Sequence, residues 1–274
     1  MAASGRPGFV VCVLAYGDHP DLAGRCLGGL AGGLGLWVTE VRVGLNAVGA
    51  ATRARLAAFA AAAPVPVVAY EEERGANVLK YPLMRRMFYD PARPLSAPVM
   101  WFDDDSFVTG GRGFWEAAWR AFASGGCPVM GSLYVPARAW TPTERAALAT
   151  RPWYGGVALD PPPRFATGGW WVADPGFLAA WDYPFRELRH NGGDVLLGEL
   201  VRQQGRCLKH FRDGVAVNAD RHGRESRAPR RGVTTPGPYE RPPPYDYAHH
   251  DFRVTVRVLN GPAAAGTDAK GGAT

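Results

Sequence analysis

Three features of the 274-residue chain predict an α/β fold built on a mostly parallel sheet. Short apolar runs alternate with helix-patterned segments over the first two thirds, the rhythm of strands and crossover helices. The strand-like runs are apolar enough to be covered on both faces, as parallel sheets require. The fourth run, "PVMWF", ends directly in Asp103, Asp104 and Asp105. Such a triplet resists burial, and the carboxyl-end rim of an open sheet is where ligands bind.

In order, Phe9 to Tyr16 reads as the first strand. Asp21 to Leu34 reads as a helix, with Asp21 as N-cap and Leu22, Cys26 and Leu30 at helical spacing. Trp37 to Asn46 alternates as a second strand, with Val41, Val43 and Leu45 on one face and Glu40 and Arg42 on the other. Gly49 to Ala63 is alanine-rich and helical. Val65 to Glu71 is a third strand, and Val78 to Asp90 is helical with Pro82 early in it. Beyond the aspartates, Gly111 to Gly125 is an amphipathic helix and Pro128 to Pro136 a strand. Thr141 to Thr150 is a short helix capped by Thr141 or Thr143. Gly192 to Gly205 is a helix with Asp194 in its first turn, and Phe252 to Leu259 a late alternating strand. One domain is expected over residues 8–215. A C-terminal extension rich in Arg, Pro and Tyr follows over 216–260, packing on or closing the site, and a disordered tail spans 261–274.

Composition narrows the function classes. The hydrophobic fraction of 47% and charged fraction of 20% describe a globular chain. The run Phe9 to Tyr16 is too short to cross a bilayer and lacks the flanks of a signal peptide. Cys12, Cys26, Cys127 and Cys207 show no C-x-x-C spacing, so neither a zinc site nor a dense disulfide framework is expected. Reduced thiols and a cytoplasmic location follow as expectations. The net charge of +6 favours anionic partners such as nucleotides or nucleic acid.

The order of these pieces resembles the family-2-like glycosyltransferases with the GT-A fold, over roughly residues 8–215. The residues that carry the resemblance are "WFDDDSF", similar to the family's D-x-D motif, and "ATGGWWVAD" followed by "NGGDVLLGEL", similar to its acceptor loop and acidic motif. The opening "VVCVLAYGDHPDLAGRCLGGL" resembles the family's first strand, loop and helix. Two positions depart from the pattern. Asn46 stands where the family usually has a base-contacting Asp, and Gly193 precedes Asp194 where Glu is common.

The resemblance implies a metal-dependent, inverting transfer of a sugar from a nucleotide-sugar donor, expected to be a UDP-sugar, to an acceptor hydroxyl. It places Asp103 on the ribose or base side and near the metal, Asp105 on Mn²⁺ or Mg²⁺, and Asp104 in either role. Tyr16, Asp18 and Asn46 would cradle the nucleoside. Asn77 and Lys80 belong to the donor-side loop, with Lys80 on phosphate, and His222 would complete the metal site. Asp194 would be the general base, and Gly168, Gly169, Trp170 and Trp171 would line the acceptor.

The chemistry is coherent. Hard divalent cations need only one or two carboxylates, and close aspartates tolerate one another with a dication between them. Ordinary alternatives stand beside it. The triplet can be a solvated strand end, Asp194 a helix-dipole Asp, and the tryptophans a core strand with their indoles on opposite faces. For a glycosyltransferase the acceptor is left open, with a saccharide, lipid-linked sugar or protein as the default expectation. The basic segment Arg221 to Gly232 also admits a hydroxymethylated pyrimidine in DNA. A nucleotidyltransferase would need a Gly-rich basic loop where this chain has "YGDHPDLAGR". A non-catalytic nucleotide- or nucleic-acid-binding module is the remaining alternative.

Overall fold

The computed structural model describes residues 8–73, 75, 78–188, 192–219 and 253–260. The chain opens with β1 (Phe9–Tyr16), α1 (Pro20–Leu30), β2 (Val38–Asn46), α2 (Ala50–Ala62), β3 (Val67–Glu72), α3 (Lys80–Phe88) and β4 (Val99–Asp103). It continues through β5 (Phe107–Val108), α4 (Gly111–Ala123), β6 (Val129–Tyr134), α5 (Pro142–Ala149), β7 (Phe165–Ala173), α6 (Pro175–Ala180), α7 (Gly193–Gln203), β8 (Leu208–His210), β9 (Val215–Ala216) and β10 (Val254–Val258).

Eight strands form one mixed sheet in the order β10-β3-β2-β1-β4-β7-β6-β8. The strands β3, β2, β1 and β4 are mutually parallel, β7 enters antiparallel between β4 and β6, and β10 closes the β3 edge antiparallel. This is the α/β sheet the sequence rhythm predicts. Alternation along β1 splits the core in two. Val10, Cys12 and Leu14 pack with α3 and α7, while Phe9, Val11, Val13 and Ala15 pack with α1, α2 and α4. Val41, Val43 and Leu45 share the second core as expected. Arg42, on the opposite face, is buried and donates to the carbonyls of Met87 and Arg93. Those bonds satisfy a charge that burial alone would penalise.

Several expectations need correction. Position 19, not Asp21, caps α1, and Asp21 lies in its first turn. The helix stops at Leu30 and tightens into a 3₁₀ turn at Ala31–Gly33, where the Trp115 indole occupies the space a side chain at Gly33 would need. Thr141 rather than Thr143 caps α5, in a reciprocal capping box with Glu144.

The segment expected as an acceptor loop is the sheet strand β7. Its Trp170 pairs with Phe102 and its Trp171 with Trp101, whose indoles stack at 6.1 Å. Cys127 and Cys207 form a disulfide, joining the start of β6 to the start of β8 across 80 residues of sequence. The expectation of four reduced thiols, and the compartment inferred from it, loses its basis; Cys12 and Cys26 are buried and outside the disulfide. Among the described residues no helix is long and apolar enough to cross a membrane. Strand β10 lies beyond the expected boundary at residue 215 yet belongs to the main sheet.

Candidate active site

Strand β4 runs apolar and buried until Asp103, where it meets the carboxyl-end rim. The chain then turns sharply, the Ser106 N–H donating to the Asp103 carbonyl at 2.9 Å. The turn sends the three carboxylates different ways. Asp103 is partly exposed, and its Oδ1 accepts from the Trp101 indole N–H at 3.0 Å. Its Oδ2 accepts from Lys80 Nζ at 2.8 Å. Asp104 turns inward beneath β1 and α1, fully buried, accepting the Tyr16 backbone N–H at 2.9 Å. Asp105 is buried at the rim, and burial reinforced by the neighbouring Asp103 charge pushes its carboxyl up to about 6.

Lys80 is the pivot of the site. It is buried rather than solvent-facing, and its ammonium also donates to the Gly168 carbonyl at 2.8 Å. The ammonium lies 5.4 Å from the Trp101 ring centroid, within cation–π range. Leu79, just before it, holds φ at 68° and ψ at 175°, a region that costs about 1–3 kcal/mol for a non-glycine residue. Such strain persists where the next side chain is anchored on both sides.

Gly168 connects this pair to α7. Its N–H donates to Asp194 Oδ2 at 3.0 Å. A side chain at 168 would crowd both Asp194 Oδ2 and Lys80 Nζ, so the position is closed by the site itself. Asp194 is half-buried, and desolvation raises its pKa against the lowering pull of Lys80 and of backbone N–H donors. Tyr81 and Tyr183 are buried beside it, and desolvation raises both phenols. The Tyr81 ring fills the space a side chain at Gly193 would take, which explains the glycine before Asp194.

The nucleoside-side residues sit at the same rim but hold loops together. Asp18 Oδ1 accepts the Thr52 N–H in the first turn of α2 at 2.9 Å. Asn46 is buried, and its Oδ1 accepts the Val78 N–H at 2.9 Å. Tyr16 is half-buried at the end of β1. Deeper along β3, Glu71 accepts from Arg53 and Arg257, which lower its pKa. That ion pair ties the β10 edge to α2.

Three assignments need correction. The Asp104 carboxylate is buried, faces the fold interior and accepts the Tyr16 backbone N–H rather than standing open at the rim. Trp170 and Trp171 do point to opposite faces, but both fill a core, so neither offers a ring face to an acceptor. At Gly169 the protein's own Ser106 and Asn218 take the space a Cβ would need. Asn77 and His222 lie outside the described residues, as does Arg221 to Gly232. Sequence reading missed Ser106, Asn218 and the Tyr81–Gly193 contact. None has a periodic or motif signal, since each arises from chain segments far apart in sequence.

Among the described residues, no group of three or more His, Cys, Asp and Glu forms a cage for a metal ion. Asp103 and Asp105 are two buried or half-buried carboxylates whose charges repel. That donor set fits a hard divalent cation completed by water and substrate phosphate oxygens.

No protein family's sequence profile matches this chain, and no curated protein matches it. Among solved structures it is similar to TarS of S. aureus at 14% identity and a TM-score of 0.48, over 75% of this chain and 58% of that one. It is also similar to a structure described only as a mycobacterial protein, at 19% identity and a TM-score of 0.46, over 78% and 66% of the two chains. A third is glucosyl-3-phosphoglycerate synthase of Mycobacterium tuberculosis, in complex with Mn²⁺, UDP and glucosyl-3-phosphoglycerate. The match there is 18% identity with a TM-score of 0.46, over 74% and 69%. This chain thus spans less than two thirds of the TarS structure's length. Likenesses this distant carry no argument about chemistry, which rests on the geometry above.

Proposed function

We propose that this protein is a metal-dependent, inverting glycosyltransferase that moves a sugar from a nucleotide-sugar donor, expected to be a UDP-sugar, to an acceptor hydroxyl. One observation carries the reading. The Asp103 carboxylate at the end of β4, with Asp105 two residues on, is joined through Lys80 and Gly168 to the half-buried carboxylate of Asp194 at the start of α7. Sugar transfer needs this pairing: oxygen ligands for a cation beside the donor diphosphate, and a base for the acceptor proton.

Asp105, with Asp103, would hold the Mn²⁺ or Mg²⁺. The bound cation supplies Lewis-acid neutralisation of charge on the departing diphosphate. Lys80 keeps Asp103 oriented and offsets its charge. Asp194 takes the proton of the acceptor hydroxyl as that oxygen bonds to the anomeric carbon and the carbon–phosphate-oxygen bond breaks. Desolvation makes Asp194 a stronger base than an exposed aspartate. Attack from the face opposite the diphosphate inverts the anomeric configuration.

The test is nucleotide release from a panel of sugar nucleotides, with Mn²⁺ or EDTA. Saccharides and hydroxymethylated DNA serve as added acceptors. Release that needs metal, vanishes in Asp105→Ala and yields product of inverted configuration by NMR is the expected result. Metal-independent binding that survives both Asp105→Ala and Asp194→Asn would sink the reading in favour of a binding module.

A further inference from the structure

We propose that Tyr134 forms a second carbohydrate subsite beside the reacting centre, and that the acceptor is a neutral saccharide chain rather than a single sugar; this rests on the glycosyltransferase reading above.

Strands β4 and β6 both run antiparallel to β7, so β6 ends at the same rim as the aspartates. Tyr134 is its last residue and stands 51% exposed, with Val135 beside it 53% exposed. The neighbouring strand holds the ring. Tyr134 pairs with Phe165 of β7, and the two rings meet edge to face at 5.6 Å. Phe165 is itself buried, and its Cα and Cβ lie against Gly198 of α7. Gly198 follows Asp194 by four residues, so the two share one face of that helix. Phe165 also lies three strand residues, or about 10 Å, from Gly168, whose N–H donates to Asp194. The Tyr134 ring thus stands too far from Asp194 for the sugar that receives the bond, and within reach of the next sugar in a chain. A tyrosine ring packs on the apolar C–H face of a sugar while its hydroxyl stays in water. Tyr134 offers at the rim the ring face that the buried Trp170 and Trp171 do not.

Charge points the same way. The connection from β6 to β7, residues 135–164, carries four arginines. Three of them are paired: Arg138 with Glu144, Arg145 with Asp160 and Arg151 with Glu187. A surface whose cations are mostly neutralised suits an uncharged acceptor and not a phosphate backbone. The connection is also firmly seated. Buried Gln203 of α7 bonds both the N–H and the carbonyl of Val157, at 3.0 and 2.8 Å.

The experiment is a saturation-transfer NMR titration of the full chain. The probes are neutral mono-, di- and trisaccharides of glucose, galactose, mannose and N-acetylglucosamine, and a hydroxymethylated single-stranded DNA. One saccharide series is expected to bind more tightly as it lengthens from one sugar to two. Tyr134→Ala should lower affinity for the longer member about five- to ten-fold, and Tyr134→Trp, which keeps a ring, should restore it. Thermal unfolding run alongside verifies that both variants are folded. A gain with length that survives Tyr134→Ala overturns the subsite. Absence of any gain with length, or DNA bound more tightly than every saccharide, overturns the saccharide chain. Metal-dependent nucleotide release by the wild type without acceptor is read separately. Its presence beside either failure leaves the glycosyltransferase reading standing, and its absence overturns that reading and the subsite with it.

Discussion

Lys80 Nζ lies 2.8 Å from Asp103 Oδ2 and donates equally closely to the Gly168 carbonyl, so one buried ammonium bridges the end of β4 and β7, whose Gly168 N–H in turn donates to Asp194. The bridge places the candidate metal side and the candidate base on a common framework. Removing it tests both stability and chemistry.

Lys80→Met leaves Asp103 without its cation in a largely buried setting. Breaking such a pair typically costs about 3–5 kcal/mol. Urea unfolding should show that loss, and the Lys80→Met/Asp103→Asn double variant should recover part of it, a coupling that a double-mutant cycle measures. An additive double variant would show that the pair does not act as a unit.

Asp105 makes stability depend on pH. Its folded carboxyl is raised to about 6, above the unfolded value of about 3.9. The native state then holds more protons than the unfolded one as pH rises between those values, so stability falls across that window. The full penalty is present above about pH 6 and amounts to at most about 3 kcal/mol. Asp105→Asn should therefore raise Tm at pH 7.5 and have no such effect at pH 3.5. By the same sign, Mn²⁺ affinity should rise with pH up to about 6.

Asp194→Asn keeps an oxygen that can accept the Gly168 N–H and relieves the desolvation of a half-buried charge. It should leave Tm equal or higher and donor binding intact while cutting transfer to acceptor by about 100-fold or more. Isothermal titration with the donor and a coupled turnover assay separate the two effects. Loss of donor binding would mean that Asp194 does not act as the base.

Gly193→Ala drives a methyl into the buried Tyr81 ring. Overpacking of this kind costs typically about 1–3 kcal/mol. Pairing it with Tyr81→Phe tests whether the phenol oxygen or the ring sets the limit, since both atoms lie in the path. Thermal unfolding of the two variants and their combination gives the answer.

The Cys127–Cys207 bond closes a loop with a sequence separation of 80 residues. Chain entropy alone puts its contribution at about 4.5 kcal/mol, with engineered examples often lower. A Cys127→Ser/Cys207→Ser variant should be less stable by up to that amount. Without reductant, the denatured wild type should titrate two thiols, Cys12 and Cys26. Folded, it should titrate neither, since both are buried and burial pushes Cys12 up to about 12. Four thiols in the denatured, oxidised protein would refute the bridge.

Much of the fold was legible because its signals are local. Apolar runs of strand length, helical spacing and the N-cap Thr141 each report on a few neighbouring residues, and they set the strands, helices and parallel core of the sheet. The same local logic put Asp103 and Asp105 at a rim and Asp194 in a first helical turn, where the structure has them. It failed where partners are distant. "FATGGWWVA" alone does not say that Trp101 and Phe102 pair with its indoles and make it a sheet strand.

Sequence by itself thus determined the principal strands and helices, their order and the placing of the aspartate triplet at the end of β4, because hydrophobic periodicity and chain connectivity are properties of the string. Only the tertiary structure decided which carboxylate does what. Asp103 meets Lys80, Asp104 turns under β1, and Asp105 stays buried at the rim, its carbonyl accepting the Ala219 N–H. Three adjacent and chemically identical side chains are distinguished by what surrounds each one, and those surroundings come from β1, α3 and residues 214–219. They are brought together only when long-range packing repays the entropy of closing the loops between them.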